Sequence, residues 1–279
     1  MSGLSESETR DAFLAACRAE LAALKPGNVH IHAGGHGMEI AHFEASAVAA
    51  APWIADRPLN VGLRVQCAVE ASLAATGLNA NLGILLLSAP LALAAQQPGP
   101  NGLRDDVSSI LAGLDEEDAH AIFAAIRRAN PGGLGTAPDQ DVSAKPTVGL
   151  LEAMALAAGR DRIARAYVTD FEDIFVFGLP ELKRARAHAS DSNLAVSTLH
   201  MAYLARFPDS HIARKFGIEK AEEVRIEAEA HRALWDPVVH RGTFNSLLDF
   251  DADLKRRGLN PGTTADFVVA TLFAAAICG

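Results

Sequence analysis

The stretch Leu82-Gly-Ile-Leu-Leu-Leu-Ser-Ala-Pro-Leu-Ala-Leu-Ala-Ala95 is the longest apolar run in a chain of 279 residues. It has 14 residues and contains Pro90. A run of this length is too short to span a bilayer, so it predicts a buried helix. Alanine and leucine, which are good helix formers, recur through the rest of the chain, whereas aromatic residues make up only 6% of it. The composition therefore favours a helical protein without a membrane segment.

Apolar residues recur at helical spacing in eleven segments, and no segment alternates as a strand would. The segments are 8–24, 43–54, 62–76, 83–97, 116–130, 147–159, 161–177, 190–207, 220–234, 243–257 and 263–278. Clusters of Gly, Pro and Asn lie between several of them and indicate loops. No period of about 20 to 50 residues repeats along the chain. We therefore predict an all-α fold, a single compact multi-helix domain over residues 1–279 with residues 1–6 flexible.

The distribution of charged residues limits the kinds of molecule that this protein is expected to bind. The formal charge is −9, and the Lys and Arg residues are scattered among acidic ones, which argues against a nucleic-acid partner. Three widely separated cysteines indicate a reducing compartment, and the polar N-terminus begins no apolar signal segment. We expect a cytoplasmic protein with no membrane partner, and the sequence allows a homodimer.

The first candidate site is Lys25-Pro-Gly-Asn-Val-His30, which continues through His32 and His36. The histidines could be loop residues bonded to the backbone, or alternating ligands of a zinc ion. Alternatively, Lys25, Asn28 and His30 could bind substrate, because a glycine-rich loop allows close approach. The spacing leaves all three interpretations open.

Polar residues at two helix starts form the next candidates. Asn79 and Asn81 stand directly before the apolar helix, where they could cap it or bind phosphate or ribose beside free backbone N–H groups. The last helix opens in the same way, and its candidate residues are Asn260, Thr263, Thr264 and Asp266. Capping and phosphate binding remain alternatives at both places.

Two further segments offer glycines and carboxylates. Gly133 and Gly135 lie in a Pro-Gly-Gly-Leu-Gly loop that could cradle phosphate, although its spacing matches neither the Walker nor the dinucleotide pattern. Asp141 follows that loop as a candidate magnesium ligand. Asp170 and Asp173 are three residues apart in a predicted helix, so both carboxylates would lie on one face and could share Mg²⁺.

The segment Asp209-Ser-His211-Ile-Ala-Arg214-Lys215 places an acid, a histidine and two cations at a predicted helix start. Asp209 could simply be an N-cap, with Arg214 and Lys215 on a solvated face. In a functional interpretation, His211 acts as acid or base while Arg214 and Lys215 bind phosphate, and Asp209 is a further candidate for binding substrate.

Taken in order, these segments resemble the triphosphoribosyl-dephospho-coenzyme A synthase family from about Ala23 to the C-terminus. The residues that carry the likeness are Lys25-Pro26-Gly27, Gly35-His36 with Met38, Phe43 with Ser46-Ala47, Asn79 with Gly83, Asp170-Phe171, and Pro261-Gly262 with Ala265-Asp266. The resemblance implies a helical enzyme that uses ATP, releases adenine and joins the triphosphoribosyl group to a ribose hydroxyl of dephospho-coenzyme A.

The sequence departs from the family pattern in two informative places. Asn79-Ala-Asn-Leu-Gly83 stands where relatives have Asn-Thr-x-Lys-Gly, and Gly37-Met-Glu39 stands where Asp-Met-Asp is expected. The Pro-Gly-Asn-Val-His run looks like homologues in organisms that make tetrahydromethanopterin. A ribosyltransferase using phosphoribosyl diphosphate in that pathway is therefore the closest alternative, and a non-catalytic nucleotide- or carrier-binding protein is another.

Breaking a ribosyl C1 bond develops oxocarbenium charge, so the reaction requires a carboxylate near the sugar, Mg²⁺ for the phosphates and a base for the acceptor hydroxyl. We assign Asp170 and Asp173 to Mg²⁺ or oxocarbenium stabilisation, with Asp141 as a further ligand. His36 or His211 is the expected base. Lys25, Arg214, Lys215 and the two helix starts are the expected phosphate ligands.

Overall fold

A computed structural model describes residues 3–132, 142 and 144–278. Within those ranges the structure has fifteen α-helices, one π-helix and no β-strand, which confirms the all-α prediction. The α-helices are α1 (Glu6–Ala22), α2 (Ile40–Ala55), α3 (Val61–Thr76), α4 (Leu82–Gln96), α5 (Leu103–Ala112), α6 (Glu116–Ala129), α7 (Leu150–Ala157), α8 (Arg162–Val168), α9 (Leu179–His188), α10 (Ser192–Arg206), α11 (Ser210–Phe216), α12 (Ile218–Ala230), α13 (Arg232–Trp235), α14 (Arg241–Arg256) and α15 (Gly262–Ile277). The π-helix (Asp173–Gly178) precedes α9.

The chain divides into two compact units. The first unit comprises residues 1–15, 42–172 and 273–279, and the second comprises residues 16–41 and 173–272. The single domain expected from the sequence stays a prediction. Among the described residues, no helix is both long and apolar enough to cross a membrane.

The first unit is built around α4, the apolar run of the sequence. Every residue from Ile84 to Ala92 is buried, which confirms the predicted buried helix. The Tyr167 hydroxyl donates to the Leu86 carbonyl oxygen at 2.8 Å and so ties α8 to α4. At the other end of the unit, the Leu4 N–H donates to the Ala95 oxygen at 2.9 Å. The flexibility expected for residues 1–6 stays a prediction, and residues 1 and 2 lie outside the described residues.

The second unit has α10 at its centre. All residues from Leu194 to Ala205 are buried, so this helix is surrounded on every side rather than packed along one stripe. Its apolar side chains join those of α12, α14 and Trp235 in one core. The Trp235 indole N–H is satisfied inside that core by the Ala228 carbonyl oxygen at 3.0 Å. This core supports the polar segments described below.

The helix pattern inferred from the sequence missed α5 and α9, and two of its segments, 161–177 and 220–234, are interrupted in the structure. On α5 only Val107 and Leu111 are buried, and on α9 only Leu182 and Ala185, so the apolar stripes are too narrow to stand out. The segment 161–177 is not one helix. It is interrupted after α8, where Asp170 and Phe171 have φ of 49° and 53°.

Candidate functional site

The loop between α1 and α2, residues 25–38, is the centre of the candidate site in the second unit. Its third residue, Gly27, has φ of 84°. A Cβ there would lie 2.7 Å from Cδ of Pro261 and 3.0 Å from a methyl group of Leu254. Only glycine combines this backbone conformation with such close packing. The Lys-Pro-Gly motif therefore lets the loop lie directly against the start of α15.

Lys25 and Asn28 are buried beneath this loop rather than exposed on it. Lys25 Nζ forms a hydrogen-bonded ion pair with Glu20 and donates to Asn28 Oδ1 at 3.0 Å. Asn28 Nδ2 in turn donates to Asn260 Oδ1 at 2.8 Å. Burial lowers the pKa of Lys25 and raises that of Glu20, while their mutual attraction opposes both shifts. In this arrangement Lys25 contacts a phosphate only if its pair with Glu20 opens.

His30 is held inside the same unit by α14. Its Nδ1 accepts from the His32 N–H at 3.2 Å, so the ring proton is on Nε2, which lies 3.3 Å from Asp251 Oδ2. Asp251 Oδ1 also accepts from the Gly27 N–H at 2.8 Å, and Lys255 donates to Oδ2 at 2.9 Å. Burial lowers the pKa of His30, and its hydrogen bond to Asp251 opposes that shift. His30 is therefore buried against α14 and does not face solvent.

The histidines of the loop do not converge as zinc ligands. His30 is fully buried, whereas His32 is exposed and packs edge-on against the Phe244 ring at 5.0 Å. His36 bonds through Nε2 to the Gly27 oxygen at 2.9 Å. Within the described ranges, no group of three or more His, Cys, Asp or Glu residues is arranged to hold a metal ion. Of the three interpretations of this loop, the zinc triad is wrong.

His36 is the histidine best placed for proton transfer. Because a carbonyl oxygen only accepts, its bond with Gly27 puts the ring proton on Nε2 and leaves Nδ1 able to accept one. His36 is half-buried. It has φ of 57° and the following Gly37 has φ of 75°, so these two residues form a tight turn. The loop fixes both the orientation and the tautomer of this ring.

Asp209 joins two helix starts from a buried position. Its Oδ1 accepts from the N–H groups of His211 and Ile212 at 2.8 and 3.0 Å, which makes it the N-cap of α11. Its Oδ2 accepts from the N–H and hydroxyl of Thr264 at 2.7 and 2.9 Å, in the first turn of α15. Burial raises the pKa of Asp209, and these hydrogen bonds oppose that effect. The carboxylate thus positions two segments.

His211 lies against the start of α15. A Cβ on Gly262 would be 3.3 Å from Cγ and Nδ1 of this ring. Burial, with the positive charges of Lys215 and Arg214, lowers the pKa of His211 to about 3. At neutral pH it is uncharged and a weak base, which favours His36 for the proton-accepting role.

The remaining candidates of the second unit lie around the start of α15. Asn260 and Thr263 are buried, and the hydroxyl oxygen of Thr263 has no hydrogen-bond partner among the described residues. Asp266 is half-buried, and its charge raises the pKa of Lys25 against the effect of burial. Three segments distant in sequence, 25–36, 209–215 and 260–266, therefore meet in one unit.

Asn79 and Asn81 belong to the first unit. Asn79 Oδ1 accepts weakly from the Leu82 N–H at 3.4 Å, and Asn81 makes no side-chain cap. The Asn81 amide points inward and donates to Ser72 Oγ at 3.2 Å. The start of α4 is consequently less fully capped than that of α3, where Asn60 accepts from the Leu63 N–H at 2.9 Å.

Asp170 and Asp173 do not share a helical face. Asp170 is exposed in the turn after α8, whereas Asp173 is buried at the start of the π-helix. The expectation of one continuous helix was wrong here, because two residues with positive φ interrupt it. Whether either carboxylate binds metal stays a prediction. Three other predicted site residues, Gly133, Gly135 and Asp141, lie outside the described residues.

Four residues of this polar network were not singled out by the sequence, namely Glu20, His200, Asp251 and Lys255. Asp251 and Lys255 are an i,i+4 acid–base pair, which ordinarily indicates an exposed helix face. His200 lies in an apolar helix and bonds the Pro26 oxygen at 3.3 Å. No local signal distinguishes these residues from ordinary surface or core positions.

Comparisons with known proteins agree with this arrangement of motifs. A family model described as CitG, ATP:dephospho-CoA triphosphoribosyl transferase, matches residues 6–279. A 2-(5''-triphosphoribosyl)-3'-dephosphocoenzyme-A synthase from Klebsiella pneumoniae is 26% identical over 90% of this chain and 84% of its own length. One from Escherichia fergusonii is 24% identical over 89% and 84%. A crystal structure from Archaeoglobus fulgidus, provisionally described as a triphosphoribosyl-dephospho-coA synthase, matches with a TM-score of 0.65 and 26% identity over 84% of this chain and 98% of that one.

Proposed function

The chain belongs to the ATP:dephospho-CoA triphosphoribosyl transferase family, and from this premise we propose that it transfers the triphosphoribosyl group of ATP to dephospho-coenzyme A with release of adenine. The family membership confirms the resemblance carried by the sequence motifs. The relatives do not favour the alternative that uses phosphoribosyl diphosphate, since those compared carry the synthase name.

The observation that carries the proposal is the meeting of three motif segments in the second unit. The bonds from Asn28 to Asn260 and from Asp209 to Thr264 hold the loop and two helix starts together. Helix N-termini with small polar residues are suited to phosphate, because their N–H groups and dipoles favour anions. This unit therefore combines a helix start suited to phosphate with a histidine that can accept a proton.

We assign the chain's own residues as follows. His36 Nδ1 takes the proton of the attacking acceptor hydroxyl, with the Gly27 carbonyl oxygen holding the Nε2 proton in place. Thr263 at the start of α15, together with Arg214 and Lys215, binds the donor phosphates. Lys25, Asn28, Asn260 and Asp209 act beneath these groups by fixing the loop and the helix starts.

Magnesium is part of this proposal because ATP phosphates normally carry it. Mg²⁺ is usually held by one or two carboxylates together with substrate phosphates, so a dedicated cluster of protein ligands is not required. Asp173, which lies in the second unit with the residues assigned to phosphate, supplies a carboxylate ligand of the required type, and the ion would neutralise charge on the phosphates. In the absence of Mg²⁺ we expect adenine release to fall sharply.

The test is direct. The purified protein is incubated with ATP, Mg²⁺ and dephospho-coenzyme A, free adenine is measured chromatographically, and the conjugate is identified by mass. We expect adenine and conjugate in equal amounts, and neither when dephospho-coenzyme A is omitted. Adenine without conjugate would indicate hydrolysis, and turnover of phosphoribosyl diphosphate but not ATP would overturn the proposal.

A further inference from the structure

Two residues on one face of α14, Asp251 and Lys255, contact the loop 25–38 at two backbone groups. Asp251 Oδ1 accepts from the Gly27 N–H at 2.8 Å, and Lys255 Nζ donates to the Ala33 carbonyl oxygen at 3.2 Å. The pair is also bonded to itself, through Lys255 Nζ and Asp251 Oδ2 at 2.9 Å. One turn of α14 therefore holds the loop by hydrogen bonds at two residues, Gly27 and Ala33.

Asp251 is buried and Lys255 is mostly shielded from solvent, unlike the other acid–base pairs of this helix. The side chains of Asp251 and Lys255 are 3% and 13% exposed, against 35% and 72% for Asp253 and Arg256. Screening by water weakens exposed pairs but has little effect on buried ones. Packing adds a further restraint, since a Cβ on Gly35 would lie 3.1 Å from Cε of Lys255. The contact of Asp251 and Lys255 with the loop is therefore both shielded from solvent and closely packed.

Gly27 connects this pair to the proposed base. Its N–H donates to Asp251, and its carbonyl oxygen is bonded to His36 Nε2 at 2.9 Å. A shift of Gly27 moves the acceptor that fixes the His36 ring. Asp251 therefore acts on His36 through a single intervening residue.

We propose that Asp251 and Lys255 are positioning residues, which hold the loop 25–38 in the shape required to bind substrate. The inference rests on the proposed function, because that function makes the loop part of the substrate site. When the pair is broken, the loop adopts the required shape in only a fraction of molecules. Apparent affinity then falls by that fraction, while saturating substrate restores the shape and preserves kcat.

The experiment compares Asp251→Ala, Asp251→Asn and Lys255→Met with Asp253→Asn. Asn keeps an oxygen that can accept from the Gly27 N–H, and Met keeps packing beneath Gly35 without donating to Ala33. Asp253 pairs with Arg256 and Arg257 on the same helix, so its variant controls for the loss of an ion pair. All variants are measured at a temperature where circular dichroism shows them folded.

Two readouts decide the matter. Hydrogen exchange of the Gly27 amide should be faster in Asp251→Ala than in Asp251→Asn, and unchanged in Asp253→Asn. For Asp251→Ala and Lys255→Met, KM for ATP or for dephospho-coenzyme A should rise about tenfold with kcat retained, as expected if one molecule in ten keeps the loop shape. Unchanged exchange at Gly27, or loss of kcat with both KM values unchanged, overturns the proposal. If the wild-type protein releases no adenine, the proposed function fails, and the exchange measurement still tests whether the pair holds the loop.

Discussion

Asp209 and Thr264, which are 55 positions apart, are joined by two hydrogen bonds to one carboxylate oxygen, at 2.7 Å from the backbone N–H and 2.9 Å from the hydroxyl. The other oxygen caps α11. One buried side chain thus sets the relative position of two helix starts that carry His211 and Thr263. This relationship explains why an acid lies among residues proposed to bind phosphate.

Asp209→Ala should lower the free energy of unfolding by about 3 kcal/mol, because several buried donors lose a charged acceptor. Urea denaturation measures the effect. Asp191→Ala is the matched control, since Asp191 is an exposed N-cap that accepts from the Leu194 N–H at 3.0 Å, and its loss should cost about 1 kcal/mol. Equal losses for the two variants would contradict the bridging role of Asp209.

Gly27→Ala should be much more disruptive than Gly37→Ala. Both glycines have positive φ, 84° and 75°, but an added Cβ meets Pro261 at 2.7 Å in the first case and nothing within 4 Å in the second. We expect a loss of about 1 kcal/mol for Gly37→Ala from backbone strain alone, and more for Gly27→Ala. Thermal unfolding measures the loss of stability in each variant, and adenine release measures its activity. Similar losses of stability in the two variants would argue against tight packing at Gly27.

Lys25→Met should destabilise the protein by about 3 to 5 kcal/mol, because it leaves the buried Glu20 carboxylate without its cation. The double variant Glu20→Leu with Lys25→Met should recover most of this loss, since neither charge then remains buried. Chemical denaturation of the four proteins in the cycle gives the coupling energy. Additive losses would show that Glu20 and Lys25 do not act as a pair.

His36→Gln should lower kcat by about 100-fold or more, as expected when a general base is removed. Glutamine is a matched replacement because its amide can still donate to the Gly27 oxygen. His32→Gln in the same loop is the control and should retain activity, since His32 is exposed and contacts Phe244. If kcat fell in His211→Gln but not in His36→Gln, the general base would be His211 and not His36.

The buried His200 should make stability depend on pH. Burial, with the charge of Lys25, lowers its pKa in the folded protein to about 3, whereas the unfolded value is about 6.5. Between these values the unfolded chain binds the proton more tightly, so stability is lost as pH falls below about 6.5, by up to roughly 1.4 kcal/mol per pH unit. His200→Gln should flatten this slope in urea denaturation between pH 6.5 and 4.5. A slope identical to that of the wild-type protein would exclude His200 as its source.

The sequence singled out polar residues, and the structure decided between the roles that it had left open for them. Lys25 was expected to bind phosphate and Asn28 to bind substrate, while Asp209 was either an N-cap or a binding residue; all three are buried and bonded to other protein groups. His36 and His211 were equivalent candidates, and only their surroundings distinguish them. The interruption at Asp170 removed the helical face that it was expected to share with Asp173.

The sequence by itself determined that this protein is helical, that α4 is buried and which family it belongs to. These properties could be inferred because helix periodicity and motifs depend on residues that are close together in the chain. Tertiary structure alone decided which polar groups are interior supports, which of the two candidate histidines is made a weak base by burial and which face of α14 holds the loop. The physical reason is separation along the chain. Asn28 finds its partner 232 positions away and Gly27 finds Asp251 224 positions away, so burial and hydrogen bonding of these groups are settled only when the core brings the segments together.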